Sequence, residues 1–127
     1  MRRLNLLKIL LLIIALTPQE LKREGIIVYF LDPHCPYCRQ ETYLMRYLAQ
    51  KGYNVIGIVN SPKEANILKD IGFPVKVNEG EAEFAEVQSV PTIGILLPKR
   101  KEFYIISEGY ISYREFWNRV KEIKTGG

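Results

Sequence analysis

Hydrophobic positions along this chain follow two periods. "IIVYFL" at 26–31 and "NVIGIVN" at 54–60 are short apolar runs rich in β-branched residues, the pattern of strands buried on both faces. Between them, from Pro36 to about Gln50, Tyr43, Leu44, Tyr47 and Leu48 recur at helical spacing, and Gly52 supplies the stop. The stretch "TIGILLP", "KRK", "EFYIIS" predicts two strands joined by a short polar turn, an antiparallel hairpin.

Helix starts are marked by polar residues at capping positions. Thr17 and Glu20, with Pro18 between them, form a capping box for a short helix that Gly25 ends. Ser61 and Glu64 repeat the signature and open a helix closed by Gly72. Ser112 and Glu115 open a last helix with Phe116, Trp117 and Val120 along its inner face. Residues 73–77 read as a short strand, the acidic segment 79–86 as holding a helical turn, and the terminal "KTGG" as a fraying end. Strands alternating with helices imply a parallel crossover, and the closing hairpin makes the sheet mixed. The expected fold is α/β, with a central mixed sheet of about four to five strands flanked by helices. A single domain over 17–127 accounts for these elements.

Composition narrows this picture modestly. With 127 residues and 47% apolar content the chain can build a real core without a staple. The formal charge of +4 is spread out, and "KRK" at 99–101 lacks the aromatic interleaving of a nucleic-acid surface, so no nucleic-acid partner is expected. Residues 1–16 form a separate apolar segment in which a basic pair precedes Leu4–Leu16, interrupted by Lys8. That stretch is short for a bilayer span, which takes about 20 apolar residues, and has the proportions of a signal peptide. The expectation is a periplasmic or other extracytoplasmic location, with the segment cleaved or kept as a membrane tether. The alternative is a cytoplasmic protein in which Leu6–Leu16 packs into the fold.

The candidate chemistry is concentrated in "DPHCPYCRQ", residues 32–40, which hold both cysteines and the only histidine. A Cys35–Cys38 bridge would close a very small loop and remove little unfolded-chain entropy, so a structural staple is a weak reading. A metal site is also disfavoured. Structural zinc takes four Cys or His ligands and catalytic zinc three, whereas His34, Cys35 and Cys38 are the full supply and two of them are adjacent. No metal and no cofactor are expected.

Thiol chemistry fits better. Cys35 falls where strand 26–31 ends and a helix starting at Pro36 begins, so helical N–H groups and the positive end of the helix dipole favour its thiolate. Pro36 suits the first helical turn, and Cys38, three residues on, shares the helix face at a separation that a disulfide can bridge. Cys35 is then the nucleophile and Cys38 the resolving thiol. Protonated His34 would favour the Cys35 thiolate further, or is simply an exposed loop residue, while Asp32 opposes a second negative charge. Tyr37 flanks the pair.

With a Cys-x-x-Cys at a strand-to-helix junction in this element order, residues 17–125 resemble the thioredoxin superfamily. "SVPT", 89–92, stands where that superfamily places a cis-proline opposite the cysteines. The resemblance implies a cis Val90–Pro91 bond and a Val90 backbone that pairs with an extended substrate segment beside Cys35. "YFLDPHCPYCRQ" is similar to envelope disulfide isomerases of the DsbC and DsbG type, and the remainder to thioredoxin, TlpA-like and conjugation TraF-type proteins. Thioredoxin's buried acid aligns with Tyr29, so its role is missing or taken by another group. The glycine pair of a glutathione-binding glutaredoxin is absent. The resemblance implies a monomeric protein disulfide oxidoreductase acting on cysteine-containing proteins and reset by a redox partner protein. Relatives span about −270 to −120 mV, and the Pro-Tyr insert beside His34 points to an intermediate to oxidising poise. Rival readings are a scaffold with an inert pair and a metal-delivery protein.

Overall fold

A computed structural model describes residues 15–124; the leader reading for residues 1–14 and the fraying of the last three residues lie outside it. In chain order the elements are α1 (Pro18–Glu24), β1 (Ile26–Phe30), α2 (Pro36–Gln50), β2 (Val55–Val59), α3 (Pro62–Ile67) and β3 (Val75–Val77). They continue with α4 (Glu81–Phe84), β4 (Thr92–Leu97), a single 3-10 turn at Pro98–Arg100, β5 (Glu102–Glu108) and α5 (Tyr113–Val120).

The five strands form one sheet in the order β3-β2-β1-β4-β5. β1 pairs parallel with β2 and antiparallel with β4, so its continuous apolar run is explained by a central position with side chains buried on both faces. Ile27, Tyr29 and Leu31 join Met45, Leu48, Phe116 and Val120 in the main core, under α2 and α5. Val28 and Phe30, one residue out of phase, pack with Ile58 in a smaller cluster under the segment containing Ala82, Ala85 and Val87. Each fully buried side chain of this size stabilises the fold by roughly 1.5–3 kcal/mol. Leu16 is also buried, and its N–H donates to Ile123 O at 2.8 Å, so the core includes a residue ahead of the expected boundary at residue 17.

Two expectations need correcting. The helix opened by Ser61 does not run to Gly72 but ends at Ile67, because hydrogen bonds after it tighten to three-residue spacing and turn Leu68 and Ile71 toward the core. The buried face of α2 is Cys38, Glu41, Met45 and Leu48, while Tyr43 (72% exposed) and Tyr47 stand outward. Tyrosine's polar tip tolerates water, so its helical spacing does not by itself mark a core.

For the site, what matters is which end of the sheet the chain reaches. β1 runs parallel with its neighbour and delivers residues 31–35 to its carboxyl end. β4 is antiparallel, and Thr92 at its start faces Phe30, so Val90 and Pro91 arrive at that same end.

Candidate active site

A turn leads from β1 into α2, closed by the Cys35 N–H donating to Asp32 O at 3.1 Å. Asp32 also folds back on the turn, accepting the His34 backbone N–H on Oδ1 at 2.8 Å. Cys35 is the N-cap of α2, and its sulfur takes the place of a capping oxygen: the Cys38 N–H donates to Cys35 Sγ at 3.4 Å. Pro36 occupies the first helical position, where a missing N–H leaves nothing unpaired.

The two thiols sit in different surroundings. Cys35 is half-buried and Cys38 is 1% exposed; both are free. Burial pushes the Cys38 thiol up to about 12, with Cys35 and the Asp32 charge adding to the rise; the Asp32 N–H, 3.5 Å from Cys38 Sγ, works the other way. Opposite the pair, the Val90–Pro91 peptide is cis, and Val90 O lies 4.0 Å from Cys35 Sγ. This loop is pinned at both ends, by Thr92 Oγ1 donating to Ser89 O at 2.7 Å and by the Gly109 N–H donating to Pro91 O at 2.7 Å.

Of the residues named from the sequence, Cys35, Cys38, Val90 and Pro91 converge. Pro36 is exposed at the start of α2. Tyr37 is 64% exposed and points away from the core, and His34 is exposed, its backbone rather than its ring holding the turn. Among the described residues no three His, Cys, Asp or Glu side chains gather as metal ligands.

Two buried groups complete the site. Tyr29 replaces the acid with a hydroxyl that donates to Cys38 O at 2.6 Å and meets Thr42 Oγ1 at 3.1 Å; burial raises it well above the usual tyrosine range. Glu41 was missed. It is fully buried one turn after Cys38, accepts the Ile111 N–H on Oε1 at 3.2 Å, and leaves Oε2 without a partner among the described residues. Burial lifts its carboxyl to about 7, against the pull of that N–H. Glu41 follows Cys38 by three positions among the buried residues of α2. The available signal was a carboxylate spaced i, i+3 from Cys38 and i, i+4 from Met45.

A five-stranded mixed sheet with a Cys-x-x-Cys at the carboxyl end of its central strand and an X-Pro loop facing it defines the thioredoxin superfamily. Within it, the chain belongs to the family of TraF, the F plasmid transfer operon protein, whose model matches residues 17–121. A thioredoxin-like protein of Haemophilus influenzae is 33% identical over 96 residues, covering 68% of this chain and 56% of that protein. The chain thus spans little more than half of that relative. Among solved structures, the exposed lipoprotein thioredoxin of Streptococcus pneumoniae superimposes with a TM-score of 0.65 at 20% identity, over 83% of this chain and 89% of that one. A thioredoxin-related protein of Neisseria meningitidis serogroup B gives 0.59 at 22% identity, over 83% and 88%. At such identities these likenesses show the fold alone. Among the described residues, no helix is long and apolar enough to cross a membrane.

Proposed function

We propose that this chain is a thiol-disulfide oxidoreductase that exchanges disulfides with cysteine-containing proteins outside the cytoplasm. The observation that carries this reading is the asymmetry of the pair: a reachable Cys35 at a helix start, with a buried Cys38 whose N–H is aimed at its sulfur at 3.4 Å. In the reducing direction the Cys35 thiolate attacks a substrate disulfide, forming a Cys35–substrate bond and releasing one substrate thiolate. Cys38 then loses its proton and attacks Cys35 Sγ, releasing the second substrate thiolate and leaving a Cys35–Cys38 disulfide. Two electrons have passed to the substrate, and a redox partner protein must supply two more to reduce the Cys35–Cys38 disulfide; substrate oxidation is the same sequence reversed. Val90 offers its backbone to the substrate segment, with Pro91 behind it. His34, Pro36 and Tyr37 flank the exchange.

The second step needs somewhere for the Cys38 proton to go. Glu41, with a carboxyl near 7 and one oxygen unengaged, supplies an acceptor from α2 where Tyr29 occupies the strand position. An extracytoplasmic location is supported by the signal-like proportions of residues 1–16.

Equilibration of the pair in glutathione buffers tests the reading, with Cys38→Ser as the trapping control. Redox cycling in the wild type and a mixed disulfide on Cys35 in the variant are expected. A pair that neither equilibrates nor reduces insulin sinks it. The potential sets the direction: about −120 to −180 mV marks an oxidant, and about −250 mV or lower a reductant.

A further inference from the structure

Two cavities of opposite charge share Leu31 as a common wall beside the cysteine pair: Cys38 lines one, and Val90, whose carbonyl oxygen lies 4.0 Å from Cys35 Sγ, lines the other. One, of about 240 Å³, opens between residues 31–33, the stretch of α2 from Cys38 to Arg46 and the turn after α3. Arg39, Arg46 and Asp32 supply its charge, and Cys38, Leu68 and Ile71 line it as well. The Arg39 Nε–H donates to Pro33 O at 3.4 Å, which holds the guanidinium stem beside the turn leading to Cys35. Among the described residues the ion pairs involve Lys76, Arg100 and Arg119, so neither Arg39 nor Arg46 has a carboxylate partner. Asp32 sets one negative charge against two positive ones, and its carboxylate already receives the His34 N–H.

On the far side of the pair, a cavity of about 280 Å³ is bounded by Val90 and the α4 segment, with Glu83 on its wall. Residues 78–90 contain Glu79, Glu81, Glu83 and Glu86 and no lysine or arginine. Lys76 engages Glu79 and Glu81, which leaves this side acidic around Glu83 and Glu86. A polypeptide crossing Cys35 from one cavity to the other passes from a cationic to an anionic surface.

We propose that the cationic cavity takes an aspartate or glutamate of the substrate polypeptide, and that the opposed charges set the direction in which the substrate chain crosses Cys35. The inference rests on the exchange reading above and adds a substrate class to it. Arg39 and Arg46 follow Cys35 by four and eleven residues, roughly 6 and 16 Å along a helix. An extended segment covers that in about two to five residues, which places the acidic residue at that distance from the reacting cysteine. The guanidinium forks suit a carboxylate, and the apolar lining suits a neighbouring aliphatic side chain.

The test uses the reduced full-length protein and three peptides, each with one cysteine held in a mixed disulfide with 2-mercaptoethanol. One peptide carries aspartate three residues before the cysteine, one three residues after it, and one asparagine at both positions. Each turnover releases the peptide thiol and mercaptoethanol and leaves Cys35–Cys38 oxidised, so chromatography of the peptide gives the rate. One aspartate peptide is expected to react about three- to tenfold faster than the asparagine peptide at low salt, with the other no faster than the asparagine peptide. The advantage should disappear at high salt and in Arg39→Gln/Arg46→Gln, while in Arg46→Glu the favoured aspartate peptide should react no faster than the asparagine peptide. Equal rates for all three peptides, or equal acceleration of both aspartate peptides by the overall positive charge, overturns the proposal. If even bis(2-hydroxyethyl) disulfide fails to oxidise the pair, the exchange reading falls. The cavity is then judged separately with the aspartate peptides carrying alanine for cysteine: no shift of the Arg39 and Arg46 Nε resonances overturns the inference.

Discussion

Glu41 accepts the Ile111 backbone N–H at 3.2 Å, a bond that ties the middle of α2 to the loop after β5 across 70 residues of sequence. The same loop carries Gly109, whose N–H holds Pro91 O. One buried carboxylate therefore anchors a loop that braces the wall opposite Cys35.

That carboxylate makes stability depend on pH. Its pKa is raised from 4.5 to about 7 in the fold, so the folded state holds the proton more tightly than the unfolded chain. The linked stability is fully present below about pH 4.5 and is lost as pH rises through about 7. Glu41→Gln keeps an acceptor for Ile111 and removes the titration. Urea midpoints should differ little near pH 4.5, while at pH 8 the variant should be more stable by about 1–3 kcal/mol. The same substitution should remove an inflection near pH 7 from the rate at which Cys38 resolves a mixed disulfide. Parallel pH dependences for variant and wild type would count against both assignments.

Tyr29 gives a smaller effect of a different kind. Its hydroxyl donates to Cys38 O, but Thr42 Oγ1 also donates to that carbonyl, at 2.8 Å. Tyr29→Phe therefore leaves Cys38 O engaged, and the expected loss is about 0.5–1.5 kcal/mol in denaturant unfolding. A loss of 3 kcal/mol or more would mean that the hydroxyl also organises the packing around the pair.

How much of this was legible in the sequence differs from residue to residue. The apolar run at 26–31, the capping residues Thr17, Ser61 and Ser112, and the hairpin around 99–101 each act through local chemistry, and each stands where that chemistry put it. Cys35 at the start of a helix follows from the same local rules. Glu41 was hidden because hydrophobic periodicity assigns a carboxylate to water, and only the tertiary fold reveals that α2 turns this position inward. Tyr43 and Tyr47 err in the opposite direction, apolar by pattern yet outward by packing. The early end of α3 goes with the packing of Leu68 and Ile71 against the core, contacts between distant parts of the chain that no local pattern carries.

Lys76 on β3 and Glu81 on α4 meet at 2.5 Å, joining the sheet edge to the segment that covers the second face. The Lys76 ammonium holds the Glu81 carboxyl down at about 2, helped by the Glu79 N–H at 2.6 Å. A depressed folded value means that the contribution is present above about pH 4.5 and is lost as pH falls through about 2. In Lys76→Gln the Glu81 titration, followed by carboxyl NMR, should move part of the way back toward 4.5, since the Glu79 N–H remains. An unchanged titration would show that the backbone bond alone sets it.

The unequal surroundings of the two thiols predict strongly selective alkylation. Thiolate is the reactive form, and Cys38 is both closed to solvent and held as a thiol by a pKa near 12, so at pH 7.5 it presents almost no nucleophile. Cys35 is half-buried at the helix start and reachable. Iodoacetamide added to the reduced native protein at that pH should place a single label on Cys35, as read by peptide mass mapping. Unfolding in denaturant should then expose Cys38 and allow a second label. Equal labelling of both cysteines in the native state would remove the asymmetry on which the exchange mechanism stands. Failure of Cys35 to react at all would favour an inert pair carried on a binding scaffold. In Cys35→Ser, the native protein should resist alkylation for as long as it stays folded, because burial in the core is the largest source of Cys38's protection and the partner thiol only adds to it.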